Sequence, residues 1–294
     1  MMKKQKTAIL TACAVTAVCN LSYANVNSGR VLSPIHFLLL KDSSEQLPQP
    51  EPTGVLNDTG ITWSGNFQYE NNTTCISSNT PDGDNVVAEQ DCSHGRDATD
   101  NDDSDGQAGF SFTKLDRNGK PLSDQTVSYT ETSWACVKDN VTGLIWEVKT
   151  DDSGLHDKDD RYNWYNTDST SNAGAVGSAN NDGDICYGYD SNKSVSFCNT
   201  EAYVNRVNAA GWCGASDWRM PTRKELADIV HHGINVAPVI DTSSFSNAVS
   251  DLVWAGTPNA DNPDSAWSID FKLGDSKTSY RNNENAIRLV RGGQ

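Results

Sequence analysis

The residues of this 294-residue chain best equipped for chemistry lie in polar loops. In Asp100-Asn101-Asp102-Asp103-Ser104-Asp105-Gly106, oxygen-bearing side chains recur at alternate positions, Asn101, Asp103 and Asp105, and Gly106 supplies a turn. That is the first half of a calcium loop, and Gln107 adds a backbone carbonyl. Position twelve is Phe112 instead of a bidentate glutamate and no helical pattern precedes the loop, so a solvated acidic loop is the other reading. A second cluster, Asp151, Asp152, Asp157, Asp159 and Asp160, lacks the alternate spacing and reads mainly as solvation. Asn163-Trp164-Tyr165-Asn166 has the composition of a sugar site, with aromatic faces to stack on and amides to bond hydroxyls. The competing role for any such Trp, Trp267 included, is core packing. The histidines, His36, His94, His156, His231 and His232, are accompanied by no nucleophile elbow or zinc-protease motif, and no catalytic residue is assigned.

These loops must hang on short strands and two helices. Phe110 to Leu115 puts Phe110 and Phe112 on one face before an Asp116-Arg117-Asn118-Gly119 turn. Trp267, Ile269 and Phe271 alternate with polar residues ahead of a Leu273-Gly274-Asp275 turn, and Ile287 to Arg291 alternates as the last strand. Asn57 to Trp63 and Asn140 to Trp146 share Thr-Gly, an aliphatic residue and Trp, which hints at duplicated hairpin units. One helix is predicted over 201–210, with Thr200 as N-cap and Gly211 as its stop. The second starts at the capping box Thr222-Arg223-Lys224-Glu225, buries Leu226, Ile229 and Val230, ends at Gly233 and carries His231 and His232 near its negative end.

Residues 1–24 read as a secretory signal peptide: a basic start, a small and apolar run from Thr7 to Leu21, and Ser22-Tyr23-Ala24 for cleavage. Residues 25–52 hold a brief apolar stretch and a proline-rich linker. Loss of Lys3, Lys4 and Lys6 with the signal takes the net charge from −16 to −19. That charge argues against nucleic acid, anionic lipid or sulfated polysaccharide held by bulk electrostatics. The mature chain has no membrane span by its sequence and leaves oligomerisation open. Six cysteines stay in it, an even number that reads as disulfides in an exported protein. They allow 15 pairings. The short-loop choice is Cys75 with Cys92 and Cys186 with Cys198, which leaves Cys136 with Cys213.

From residue 137 onward the motifs resemble a known family. Asp139-Asn140-Val141-Thr142-Gly143-Leu144-Ile145-Trp146 comes first, followed by Cys213-Gly214, Asp217-Trp218-Arg219-Met220-Pro221-Thr222 and Glu225-Leu226. Pro238-Val239-Ile240-Asp241, Trp254, Ala266-Trp267 and Arg288-Leu289-Val290-Arg291-Gly292 complete the series. Their order is similar to that of the Lcl C-terminal-domain family, named for a Legionella collagen-like adhesin. The resemblance implies an α+β fold of the C-type-lectin-like kind, with antiparallel strands, two helices and long polar loops, on exported bacterial proteins; in the namesake the domain serves attachment to sulfated polysaccharides and biofilm formation, while most members have no assigned activity. It also implies a relation to formylglycine-generating enzymes, whose late cysteines have no counterpart after Cys213. Trp254 is followed by Ala255-Gly256-Thr257 where the family usually has serines and threonines.

The expected organisation is thus an accessory β-rich region over 53–136 and a family-like domain over 137–294. The expected function is adhesion or recognition of an extracellular polysaccharide or surface glycan, in the periplasm, at the cell surface or outside it, without catalysis. The expected ligand residues are Asn163, Trp164, Tyr165 and Asn166, and the cation residues Asn101, Asp103, Asp105 and Gln107. Two alternatives are a hydrolase with an acidic, cation-bound cleft and a structural component of a surface appendage or biofilm matrix.

Overall fold

The structure, a computed structural model, describes residues 56–65, 75, 90–99, 103–180, 183 and 185–292. The signal segment, the proline-rich linker, His36 and Asn101 lie outside the described residues. Strands and helices combine in an α+β arrangement with two antiparallel sheets. The first sheet runs in the order β1 (Phe112–Leu115), β2 (Cys136–Asp139), β3 (Ile145–Glu147) and β7 (Val290–Arg291). The second holds β4 (Leu252–Pro258), β5 (Ser265–Asp270) and β6 (Asp275–Tyr280). Among the described residues no helix is long and apolar enough to cross a membrane.

The boundary expected at residue 136 falls inside a sheet. β1 pairs with β2 along its whole length, Phe112 opposite Asp139 and Leu115 opposite Cys136. The preceding region thereby supplies an edge strand to the family-like part. After β1 the predicted turn forms, with the Gly119 N–H donating to the Asp116 carbonyl at 2.9 Å and a bridge from Leu115 to Pro121.

The duplicated-hairpin expectation fails for a physical reason. Both glycines of the repeat take positive φ, +78° at Gly60 and +77° at Gly143, but only the second turn feeds a strand, β3. The first segment is a brace: the Asn57 amide donates to Asp139 Oδ2 at 2.5 Å, and the same carboxylate caps the second turn through the N–H groups of Val141 and Thr142. A Cβ at Gly60 would run into the His231 ring, so glycine is needed there for closeness as well as for φ.

The helix Thr200–Ala210 ends at Gly211 in the left-handed conformation, as expected, but its N-cap is Asn199, whose side chain accepts from the Ala202 N–H. Thr200 instead uses its hydroxyl to bond both the N–H and the carbonyl of Tyr165. The capping box of the helix Arg223–Ala227 is complete. That helix stops at Asp228, well short of Gly233, although Ile229 and Val230 are buried all the same. His231 therefore sits at no helix end; it is buried, stacked on Phe110 with ring centroids 5.2 Å apart. His232 is exposed.

Two apolar cores result. One joins Phe110, Phe112, Val137 and Trp146 to Leu226, Ile229, Phe245 and Ile269. The other is aromatic and sulfur-rich, built from Tyr162, Trp164, Tyr203, Trp212, Trp218 and Trp254 around Cys136–Cys213 and Cys186–Cys198. With Cys75–Cys92, the three disulfides are the pairs chosen from loop length. In β5, Ile269 turns inward and Trp267 is only partly covered, under the Arg223 guanidinium at 4.3 Å. Ser268 on the opposite face is buried too, and bonds Ser279 and Asn285.

Candidate functional site

The opening Asn163-Trp164 pair of the expected sugar site is interior. Trp164 is 1 % exposed, its indole N–H donates to the Ala255 carbonyl at 3.0 Å and the Arg281 guanidinium covers its face at 4.1 Å. Asn163 is fully buried and donates to the carbonyls of Asn282 and Asn283. A Trp with a carbonyl partner in an aliphatic-poor core is worth more packed than displayed, since burying such a ring contributes about 2–3 kcal/mol. Tyr165 and Asn166 are half-buried, and Asn166 caps its own turn by accepting from the Asp168 N–H at 2.9 Å.

Among the described residues two aromatics are largely exposed, Tyr280 on β6 at 60 % and Tyr187 at 53 %, and Tyr187 lies on the loop closed by Cys186–Cys198. Its main chain is held from both sides: the N–H donates to Asp160 Oδ2 at 3.0 Å, and the carbonyl accepts from Arg206 Nη1 at 2.6 Å. Asp190 and Asn192 lie on the same loop, which places carboxylate and amide groups near the ring in sequence. Sequence reasoning passed over Tyr187 because nothing local distinguishes a pinned, exposed tyrosine from a packed one.

Of the calcium-loop residues, Asp103, Asp105 and Gln107 are described. Asp103 Oδ1 accepts from the Ala108 N–H at 3.1 Å, and Asp105 Oδ2 takes the Ser111 hydroxyl at 2.5 Å. The Gln107 carbonyl accepts from the Phe110 N–H at 3.2 Å. These bonds order the loop.

The second acidic cluster is tighter than its spacing suggests. Carboxylate oxygens of Asp151, Asp157 and Asp159 lie within 4.8 Å of one another. The Lys158 ammonium stands among them, 3.3 Å from Asp151 and 2.8 Å from Asp159. Burial would raise the Asp157 pKa, but the N–H groups of Asp159, Ser153 and Asp152 hold it below the usual range.

A further group of charged residues was invisible to pattern reading. Glu147, the last residue of β3, is fully buried. Its Oε1 meets His156 Nδ1 at 2.8 Å, Lys149 Nζ at 3.3 Å and the Tyr203 hydroxyl, while Oε2 accepts from the Leu289 N–H at 2.9 Å. Arg288 Nη1 donates to the Glu147 carbonyl at 2.5 Å. His156, expected in a polar loop, stacks on Trp212 with centroids 3.6 Å apart. Burial alone would raise the Glu147 pKa, yet Lys149, His156 and Tyr203 together bring it down to about 2. Burial drives Tyr203 well above the ordinary phenol value, lowers Lys149, and brings Arg288 down to about 10.

The signal for this group is faint but real: in Trp146-Glu147-Val148-Lys149, opposite charges stand two apart on the strand face away from Trp146 and Val148. Sealed in this way, Glu147 and Tyr203 meet no substrate. They lock β3 to the helix Thr200–Ala210 and to the chain entering β7.

The motif around Cys213 is scaffold. Arg219 makes a two-pronged bond to Glu225, at 2.8 and 2.7 Å, and Asp217 pairs with Arg291 at 2.6 Å. Trp218 is buried, with its indole N–H on the Trp212 carbonyl at 2.9 Å. A family model, that of the Lcl C-terminal domain, matches residues 135–291, more than half of the chain. No curated protein and no solved structure matches.

Proposed function

The chain belongs to the Lcl C-terminal domain family, and from that premise we propose that it is an exported, surface-associated module that recognises extracellular polysaccharide without catalysing its turnover. The C-type-lectin-like assignment rests on the family resemblance and belongs to the same proposal. One observation carries the reading: Tyr187 presents its ring on a disulfide-closed loop whose backbone is fixed by Asp160 and Arg206. A preformed aromatic platform loses little entropy when a sugar stacks on it. Asp190 and Asn192 on the same loop supply the chemistry that would bond sugar hydroxyls.

The hydrolase alternative would be favoured by loss of turnover on removing the Asp100 to Asp105 cluster; in the other acidic cluster the ammonium of Lys158 already stands beside Asp151 and Asp159. Calcium on the loop of Asn101, Asp103, Asp105 and Gln107 belongs to the proposal as a stabiliser of that loop. A melting temperature unchanged between chelator and millimolar calcium would remove it.

The test is binding of the disulfide-intact protein to a panel of extracellular polysaccharides, compared with Tyr187→Ala. The expected result is retention of one polysaccharide class by the native chain and its loss in a variant that melts at the same temperature. Equal binding by both proteins, or none by the native chain, overturns the assignment to this face.

A further inference from the structure

We propose that the brace at 57–60 is a pH-sensitive latch: it stays docked while Asp97 and Asp228 carry protons and is released when both ionise. The brace rests on carboxyl groups at each end. At the first, the Asn57 N–H donates to Asp228 Oδ1 at 3.0 Å, and its amide donates to Asp139 Oδ2 at 2.5 Å and reaches Asp228 Oδ2 at 3.4 Å. At the second, the buried Asp58 accepts from the Asp97 N–H at 3.1 Å and the Gly60 N–H at 3.3 Å, and the Thr59 hydroxyl bonds Asp91. The Thr59 carbonyl accepts from the His232 N–H at 2.8 Å. None of the four residues belongs to a sheet or to either apolar core, so the brace can leave without opening them.

The groups that face the two aspartates are mostly acidic. Asp97 looks onto Asp58 and Asp91, while Arg96 beside it turns its Nε to the Gly109 carbonyl at 2.9 Å. Gly109 brings main chain, not charge, against Asp58. Asp228 looks onto Asp139 and Glu225, and the Arg219 fork is spent on Glu225. His231, with Asp241, His232 and Asp58 as its charged neighbours, is lowered by burial and adds little charge near neutrality.

A proton supplies what this arrangement lacks. Asp97 Oδ1 is buried and, among the described residues, has no hydrogen-bond partner. A Cβ on Gly95 would stand 2.6 Å from that oxygen and 2.3 Å from Asp58 Oδ2, so the two carboxyl groups lie against each other over a glycine. Protonated, Asp97 can donate to Asp58; ionised, it opposes Asp58 as a like charge. Burial, then Asp58, raises the Asp97 pKa from 3.8 to about 6, and burial, with Asp139 and Glu225, raises that of Asp228 from 3.8 to about 7. Release returns both groups to water and to their ordinary values. Docking is therefore strongest below about pH 4 and weakens as pH rises through both raised values.

The test is hydrogen exchange of the full, disulfide-intact chain in chelator, corrected for the intrinsic rate at each pH. Each proton given up on release is worth tenfold in the opening equilibrium per pH unit. Protection of the Asn57, Gly60 and His232 N–H groups is expected to fall at least about tenfold from pH 5 to pH 8, while β5 stays protected. Asp97→Asn combined with Asp228→Asn is expected to keep the brace protected at pH 8. Protection independent of pH in the native chain, an undiminished fall in the double variant, or exchange of β5 at the rate of the brace overturns the proposal.

Discussion

The Tyr203 hydroxyl donates to the carboxylate of Glu147 across 56 residues of chain, and neither side chain touches solvent. This bond joins the end of β3 to the first turn of the helix Thr200–Ala210, with Lys149 and His156 on the same oxygen.

Removing the carboxylate should therefore be costly. Glu147→Gln leaves Lys149 and Arg288 buried without their negative partner, and a loss of about 3–5 kcal/mol is expected in urea unfolding. Tyr203→Phe deletes one bond to a charged acceptor and should lose about 1.5–3 kcal/mol. A Glu147→Gln variant of native stability would show that the group is not held by charge.

Asp228 should make stability fall with rising pH. Burial, with Asp139 and Glu225 nearby, raises its pKa from 3.8 to about 7 against the hydrogen bonds from Asn57. The unfolded chain releases this proton near pH 4 and the folded chain near pH 7, so between these values the folded state binds more protons and stability declines. Asp228→Asn should match the native chain at pH 4 and exceed it by about 1 kcal/mol at pH 8, after discounting for solvent screening. Glu147 acts in the opposite sense, its contribution present above its ordinary value of 4.5 and lost as pH falls to about 2. Melting curves of both proteins from pH 4 to 8 check the sign.

Trp164 and Tyr187 should separate stability from recognition. Trp164→Ala empties part of the aromatic core and should cost about 3–5 kcal/mol. Tyr187→Ala changes an exposed ring and should cost no more than about 0.5 kcal/mol. Paired denaturant titrations decide the point, and a large loss in Tyr187→Ala would mean that its ring is packed.

Arg219 and Thr222 meet on one carboxylate, Glu225, which bonds the guanidinium twice and the Thr222 N–H once. Thr222→Ala removes the cap and should lose about 1 kcal/mol. Arg219→Lys keeps the charge but not the fork, and should lose about 1 kcal/mol more. Because the two share a partner, a double-mutant cycle should give a coupling above about 0.5 kcal/mol, and strict additivity would contradict the shared geometry.

What could be read in advance was local. The capping box at Thr222 and Glu225, the left-handed stop at Gly211 and the short-loop disulfides Cys75–Cys92 and Cys186–Cys198 depend on residues close in sequence, Cys136–Cys213 follows by elimination, and all stand in the structure. Burial of Glu147 and Ser268 was not legible, because alternation marks one buried face per strand and here both faces are covered. The role of Asn57 was hidden for another reason: its partners Asp139 and Asp228 are 82 and 171 residues away. Tyr187 owes its exposure to Asp160 and Arg206, which only the folded chain brings to it.

Cys136 is bonded to a cysteine 77 residues downstream, and the Cys186–Cys198 pair is nested between them. A chain that emerges from its N-terminus presents Cys136 as an open thiol while two unsuitable partners go by before Cys213 arrives. Correct oxidation therefore depends on delay: Cys136 at the start of β2 has to wait, reduced or reversibly mispaired, for the last third of the polypeptide. Thiol-exchange capacity in the receiving compartment thus bears on how much of this protein matures.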